Sequence, residues 1–157
     1  QFLSDPLPVG AEEQLLEALR SAPSAGNVQP WHFVRVRRPE LRRSLAVAAF
    51  SQDFLAEVPL VVIVCVDLQR AREAYGERGA TLYAYQDTAA AVQNFLLMAH
   101  GLGLGSCWIG AFEEAEVSRV ASLPRHLRPV ALLPVGCPAE RPDPTPRRSL
   151  DEVVSER

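Results

Sequence analysis

From about Tyr83 to Gly101 the chain is rich in alanine and leucine and almost free of charge. A helix of that make-up is apolar nearly all round, so it must be buried, either in a core or against another subunit. Any fold open to this chain has to wrap this segment or pair through it. Leu60–Val66 adds a second constraint. It is a continuous β-branched, apolar run, which suits a central strand covered on both faces.

The remaining elements arrange themselves around these two. Glu12–Ser21 places Leu15, Leu16 and Leu19 at helical spacing. Phe33–Arg37 reads as a strand, and Pro39 suits the first turn of a helix running to about Phe50. Residues 67–82 are polar and read as a mobile connection or a short helix. Leu104–Ile109 and Val130–Val135 are further strands, with a helix over Glu113–Ser122 between them. Residues 1–10 form an extended lead-in, and the proline-rich tail from Pro138 stays extended until Ser149–Val154. Helices thus interleave with about four strands, an α+β or mixed α/β arrangement. The apolar central helix suggests a dimer.

Composition narrows the function. At 157 residues the chain reads as one domain, 1–157, with 48% hydrophobic and 22% charged residues. A net charge of −3 gives no sign of a nucleic-acid partner. The longest apolar run, Pro59–Val66, is far too short to span a membrane, and no secretion signal is visible. The expected location is cytoplasmic. All 16 basic residues are arginine, which excludes Schiff-base chemistry and a Walker-type lysine. Anions must then be held by guanidinium, backbone N–H groups or helix termini. Cys65, Cys107 and Cys137 lie far apart in apolar surroundings and read as buried structural thiols, not as a zinc site or disulfides.

Two stretches stand out as chemistry-bearing. Ala22–Phe33, reading APSAGNVQPWHF, joins a helix to a strand and is dense in residues that expose backbone or carry short polar groups. Such a loop suits a flat, polar-edged ligand. Gly101–Phe112, reading GLGLGSCWIGAF, follows the apolar helix. Its glycines alone fit a helix C-cap leading into a strand as well as a ligand loop. The Trp108-Ile109-Gly110-Ala111 segment says more, because small residues after an aromatic let backbone approach a planar ring.

Together, in this order, the two stretches resemble the PSxxNxQPW loop and the GLGxxWIGxF-like segment of the flavin-dependent (FMN) nitroreductase family. The ending VGCPAERPDPTPRRSLDEVV is similar to that family's as well, so the likeness covers nearly the whole chain. The resemblance implies an α+β nitroreductase-like fold, with a central, mostly antiparallel sheet flanked by helices. It implies a homodimer with FMN at the subunit interface, and NADH or NADPH as co-substrate. The activity implied is ping-pong hydride transfer through flavin N5 to nitroaromatic or quinone-type small-molecule acceptors. Pro23, Ser24, Ala25, Asn27 and Gln29 would line one side of the flavin, and Trp108, Ile109, Gly110 and Ala111 the other, near N5. Ser51 and Gln52 would meet the pyrimidine edge, and Arg147 with Arg148 the phosphate. An RRSxR-type phosphate-gripping stretch of the family would lie just before Gln1, and the family's basic position two residues before Arg147 is Thr145 here. Only residues 67–82 could shape the substrate pocket, with Tyr75, Tyr83 and Tyr85 as its aromatic candidates or as plain packing residues. No catalytic side chain is assigned; His32 and His100 are weak candidates, since the cofactor carries the chemistry. The alternatives are a specialised relative that cleaves flavin or uses a deazaflavin, and a degenerate, non-enzymatic flavin-binding module.

Overall fold

Strand β2, Leu60–Asp67, is buried along almost its whole length, because hydrophobic cores lie on both of its faces. Alternate side chains point to opposite sides of a strand. Leu60, Val62 and Val64 enter one core, with Leu15 and Leu19 of α1 (Ala11–Arg20) and Val92 and Phe95 of α5 (Ala84–Gly101). Val61, Ile63 and Cys65 enter the other, with Leu45 of α2 (Pro39–Ala48), Leu55 of α3 (Phe54–Glu57) and Val117 of α6 (Glu114–Val120). The computed structural model describes residues 1–157. No helix in it is long and apolar enough to cross a membrane.

The sheet has four antiparallel strands in the order β1-β2-β4-β3, where β1 is Trp31–Val36, β3 Gly105–Ser106 and β4 Leu127–Gly136. Its register fixes where the two sequence motifs fall. Trp31 opens β1 opposite Val66, and Val66 lies opposite Arg128 at the start of β4. Gly105 pairs with Gly136 at the end of β4. The loop before β1 and the segment at β3 therefore occupy diagonally opposite corners of the sheet. Across the strands alone, three spacings separate them, roughly 14 Å.

The helices follow from their sequences. In α1, Ala11, Leu15 and Leu19 recur every four residues on the buried face, while Glu12 and Glu13 open the helix and Arg20 closes it, in accord with its dipole. Helix α5 ends in a Schellman turn, with Leu104 N–H donating to Ala99 O (2.8 Å) and Gly103 N–H to His100 O (3.0 Å). Gly103 sits there at φ 71°, a conformation glycine adopts freely.

Most elements expected from sequence are present, with instructive differences. Of the two readings of residues 67–82 the helical one holds, in a longer form: α4 spans Leu68–Arg78, breaks at Tyr75 and Gly76, and runs through a wide turn at Gly79–Tyr83 into α5. Asp67 starts α4 by accepting from Arg70 N–H at 2.9 Å. The expected strand Leu104–Ile109 shrinks to Gly105–Ser106 and an isolated bridge between Ile109 and Leu132. Helix α2 stops at Ala48, because Phe50 and Ser51 both take left-handed backbone angles. The short helix α3 had no sequence expectation, and α7 (Leu150–Val153) carries a capping box at Ser149 and Glu152. Helix α5 is not enclosed on every side: one face packs into the core while Leu97 is 60% exposed.

Phe95 is wholly buried between β2 and α1. Phe95→Ala should therefore lower unfolding stability by about 3–5 kcal/mol, measured by urea denaturation; a loss under 1 kcal/mol would contradict this packing.

Candidate functional site

The Pro23–Gln29 loop is held in a shape its sequence does not favour. Gly26, Asn27 and Gln29 all take positive φ, at 53°, 56° and 55°. Two of these are not glycine, so the surroundings must impose the conformation. The Ser24 hydroxyl accepts from Gln29 N–H at 3.0 Å, and the Gln29 amide donates to Asn27 O and Oδ1, both at 3.2 Å. These bonds make Gln29 the loop's brace. The Asn27 backbone N–H donates to Ser24 O at 3.0 Å, its side-chain Nδ2 donates to no group of the chain, and Pro23 is exposed.

Three side chains grip this loop from behind. The Arg70 guanidinium donates to Val28 O. The Tyr75 ring covers Gly26 so closely that a Cβ on Gly26 would lie 2.1 Å from the Tyr75 hydroxyl. The Asp87 carboxyl, in α5, accepts from Ala25 N–H at 3.1 Å. Burial pushes the Asp87 pKa up, and the Ala25 hydrogen bond offsets only part of that rise. Its second oxygen, and the hydroxyl of neighbouring Thr88, are buried without partners. The polar stretch 67–82 thus contributes to the site, as the loop's backing. Tyr83 packs edge-on against Tyr75 and accepts from Arg78. Tyr85 sits away from the loop and accepts from Arg128, which is also bonded at both ends to Glu114.

The second motif is anchored at one point and open around it. Ile109 exchanges both backbone hydrogen bonds with Leu132, each 3.0 Å, and its side chain is buried in the core. Ile109 is therefore the tether of the segment, and its N–H is committed. Trp108 is 43% exposed, and Gly110 and Ala111 are exposed. Neither Gly110 nor Ala111 donates its N–H to any group of the chain. A Cβ added to Gly110 would meet nothing within 4 Å. Nothing in the fold of the single chain requires glycine there.

Gln52 ties the third predicted element to this segment. Its amide donates to Ala49 O at 2.9 Å and to Ala111 O at 3.3 Å. Ser51 beside it is exposed, in the left-handed turn that ends α2. A cleft of about 1060 Å³ runs from Trp108 past His100 and Cys107 to Arg141, Thr145 and Arg147. Arg147 thus joins Trp108, although its guanidinium is bonded to Thr145 and Pro146 oxygens. Arg148 lies outside that cleft lining and donates to Glu152 O at 2.8 Å. His100 lies in the cleft, whereas His32 is exposed on β1.

The predicted residues therefore form two groups. Gln52, Trp108–Ala111 and Arg147 come together, and Pro23–Gln29 stand apart at the other corner. No residue of the loop lines the cleft. The sequence alone assigns no role to Asp87 or Arg70; the signal for Asp87 is that it is the one acidic residue of α5.

This two-motif α+β arrangement belongs to a known class. The sequence profile of the nitroreductase family matches residues 1–52 and 46–137. A NADH dehydrogenase of Thermus thermophilus is 32% identical, over 98% of this chain and 88% of that protein. The oxygen-insensitive NADPH nitroreductase of Salmonella typhimurium is 30% identical, over 99% of this chain and 68% of its own. The solved NADPH:FMN oxidoreductase of Vibrio harveyi, in complex with NAD+, superposes with a TM-score of 0.90 at 27% identity, over 99% of this chain and 71% of that one. The chain belongs to the nitroreductase family.

The cysteines depart from expectation. Cys65 is buried, Cys137 is half-buried and Cys107 is exposed in the cleft, because the strand expected to bury it is only two residues long. A thiol reagent should label Cys107 in the native protein and Cys65 only after unfolding, since burial also pushes the Cys65 pKa up to about 12. Native labelling of Cys65 as fast as Cys107 would contradict this placement.

Asp87 yields a second expectation. Its folded pKa lies above the ordinary 3.8, so the native state binds more protons than the unfolded one between those values, and stability falls as pH rises through that window. Relative to Asp87→Asn, the wild type should lose stability as pH rises above the ordinary carboxyl value of 3.8; parallel stability curves would show that the carboxyl is not desolvated.

Proposed function

We propose that the chain is an FMN-dependent NAD(P)H oxidoreductase acting as a homodimer, with each flavin held between the loop of one copy and the cleft of the other. The observation that carries this reading is the separation of the two motifs across the sheet. Ile109 bridges Leu132 on the far side of β4 from β2, so three strand spacings lie between its segment and the loop before β1, a gap that one chain cannot close around a single ring system. The outward side of α5 supports the pairing. Leu97 is exposed beside an open groove of about 820 Å³ between α1 and α5, a surface that a second copy would cover. The matching names also support it: the Vibrio harveyi relative is an NADPH:FMN oxidoreductase and the Salmonella relative an NADPH nitroreductase.

The residues present suit a flavin. Pro23, Ser24 and Ala25 offer a low, small-residue surface to one ring face, and the unengaged side-chain Nδ2 of Asn27 is a donor at its edge. On the other copy, Gly110 and Ala111 present two adjacent unpaired N–H groups, with Trp108 alongside. Two exposed backbone donors beside a glycine the fold does not require are what a ring with a polar edge needs. Ser51 and Gln52 take the pyrimidine edge, and Ile109 fixes the segment from behind. Arg147, in the cleft, meets the phosphate through guanidinium hydrogen bonds, and Arg148 follows when released from Glu152. Bound FMN would supply the hydride chemistry, in ping-pong order between NADH or NADPH and a nitroaromatic or quinone-type acceptor. The protein supplies position and electrostatics, with residues 1–157 acting as one nitroreductase-like domain.

Purified protein should show a yellow flavin spectrum that bleaches under anaerobic NADH or NADPH. A colourless protein that takes up no added FMN would overturn the reading. Gly110→Leu should abolish FMN binding while leaving a folded dimer by circular dichroism and light scattering. Full cofactor retention in that variant would place the N5 edge elsewhere.

A further inference from the structure

We infer that Asp87 is a positioning residue, whose carboxyl fixes Ala25 and with it the loop that receives the flavin. The inference rests on the flavin reading above and concerns a residue that touches neither the ring nor the phosphate in that reading. Its basis is geometric. Asp87 is 9% exposed, lies 62 residues from Ala25 in the chain, and accepts the Ala25 N–H at 3.1 Å.

A carboxyl at this place is expensive. Its second oxygen and the adjacent Thr88 hydroxyl are both buried without partners, where an apolar side chain would carry no desolvation penalty. The core therefore does not ask for an aspartate here. The loop does. Asn27 and Gln29 hold left-handed angles, which bonds within the loop and contacts from behind it together maintain. Of its three outside grips, the Arg70 bond is exposed and the Tyr75 contact sits at a break in α4. Asp87 alone grips from a buried position on an unbroken helix. That helix runs on to the Schellman turn and the second motif, so Asp87 ties the loop to the helix that leads into the other half of the site.

The test compares Asp87→Leu and Asp87→Asn with the wild type. FMN affinity is read by quenching of FMN fluorescence, and the heat stability of the flavin-free proteins in parallel. The leucine variant removes the acceptor and the buried charge together. It should be at least as heat-stable as the wild type yet bind FMN ten-fold or more weakly, with an altered visible band shape for the flavin that remains bound. The asparagine variant keeps an acceptor oxygen and should bind within two-fold of the wild type. A residue that merely holds the fold would move stability and affinity in the same direction, so a leucine variant that melts early or unfolds overturns the assignment. A stable leucine variant with wild-type affinity overturns it too, as does an asparagine variant as weak as the leucine one. Wild-type protein that takes up no FMN would instead sink the flavin reading itself, and this assignment with it.

Discussion

Burial of β2 on both faces is the constraint from which the rest of the structure follows. Once Leu60, Val62 and Val64 turn to one core and Val61, Ile63 and Cys65 to the other, helices must cover both sides of the sheet. Helices α1 and α5 take one side, and α2, α3 and α6 the other. Antiparallel pairing of β1 and β4 with β2 then sends the chain's two candidate ligand loops to opposite edges of the sheet. The separation is a consequence of the register. In the proposed homodimer, each chain contributes one wall to each of two sites.

The two corners are built differently, and the difference suits their roles. The Pro23–Gln29 loop is strained and heavily braced, by Ser24 and Gln29 within it and by Arg70, Tyr75 and Asp87 behind it. The Trp108–Ala111 segment is pinned only at Ile109 and through Gln52, leaving Gly110 and Ala111 N–H groups unpaired. A pre-shaped surface on one side and free donors on the other suit the planar, polar-edged ring of the proposed function. The ordering cost of the loop is met during folding, which leaves less to be lost on binding.

Much of this was legible in the sequence. The continuous apolar run of β2, the spacing of Leu15 and Leu19 and the glycine stop after α5 each have a local cause, so each could be read locally. The two motifs were legible because their composition is unsuited to packing. What escaped depends on contacts distant in sequence. Cys107 was read as buried because its strand was expected to continue, yet β3 ends at Ser106 and Ile109 alone rejoins β4. Low apolar content left residues 67–82 open between a mobile connection and a short helix; tertiary contacts at Ala71 and Ala80 decide for helix. The left-handed pair Phe50 and Ser51 has no glycine to announce it. Asp87 was visible as a charge in an apolar helix, but its partner lies 62 residues away.

The central claim is that one flavin site draws its two walls from two copies. Mixed dimers test it most directly. Pro23→Trp blocks the exposed loop wall, and Gly110→Leu blocks the cleft wall, so neither homodimer should bind FMN. After the two variants are unfolded and refolded together, each mixed dimer holds one site with both walls intact, and FMN binding should return. If each variant alone binds no FMN and the refolded mixture binds none either, the walls do not come from different chains and the account is contradicted.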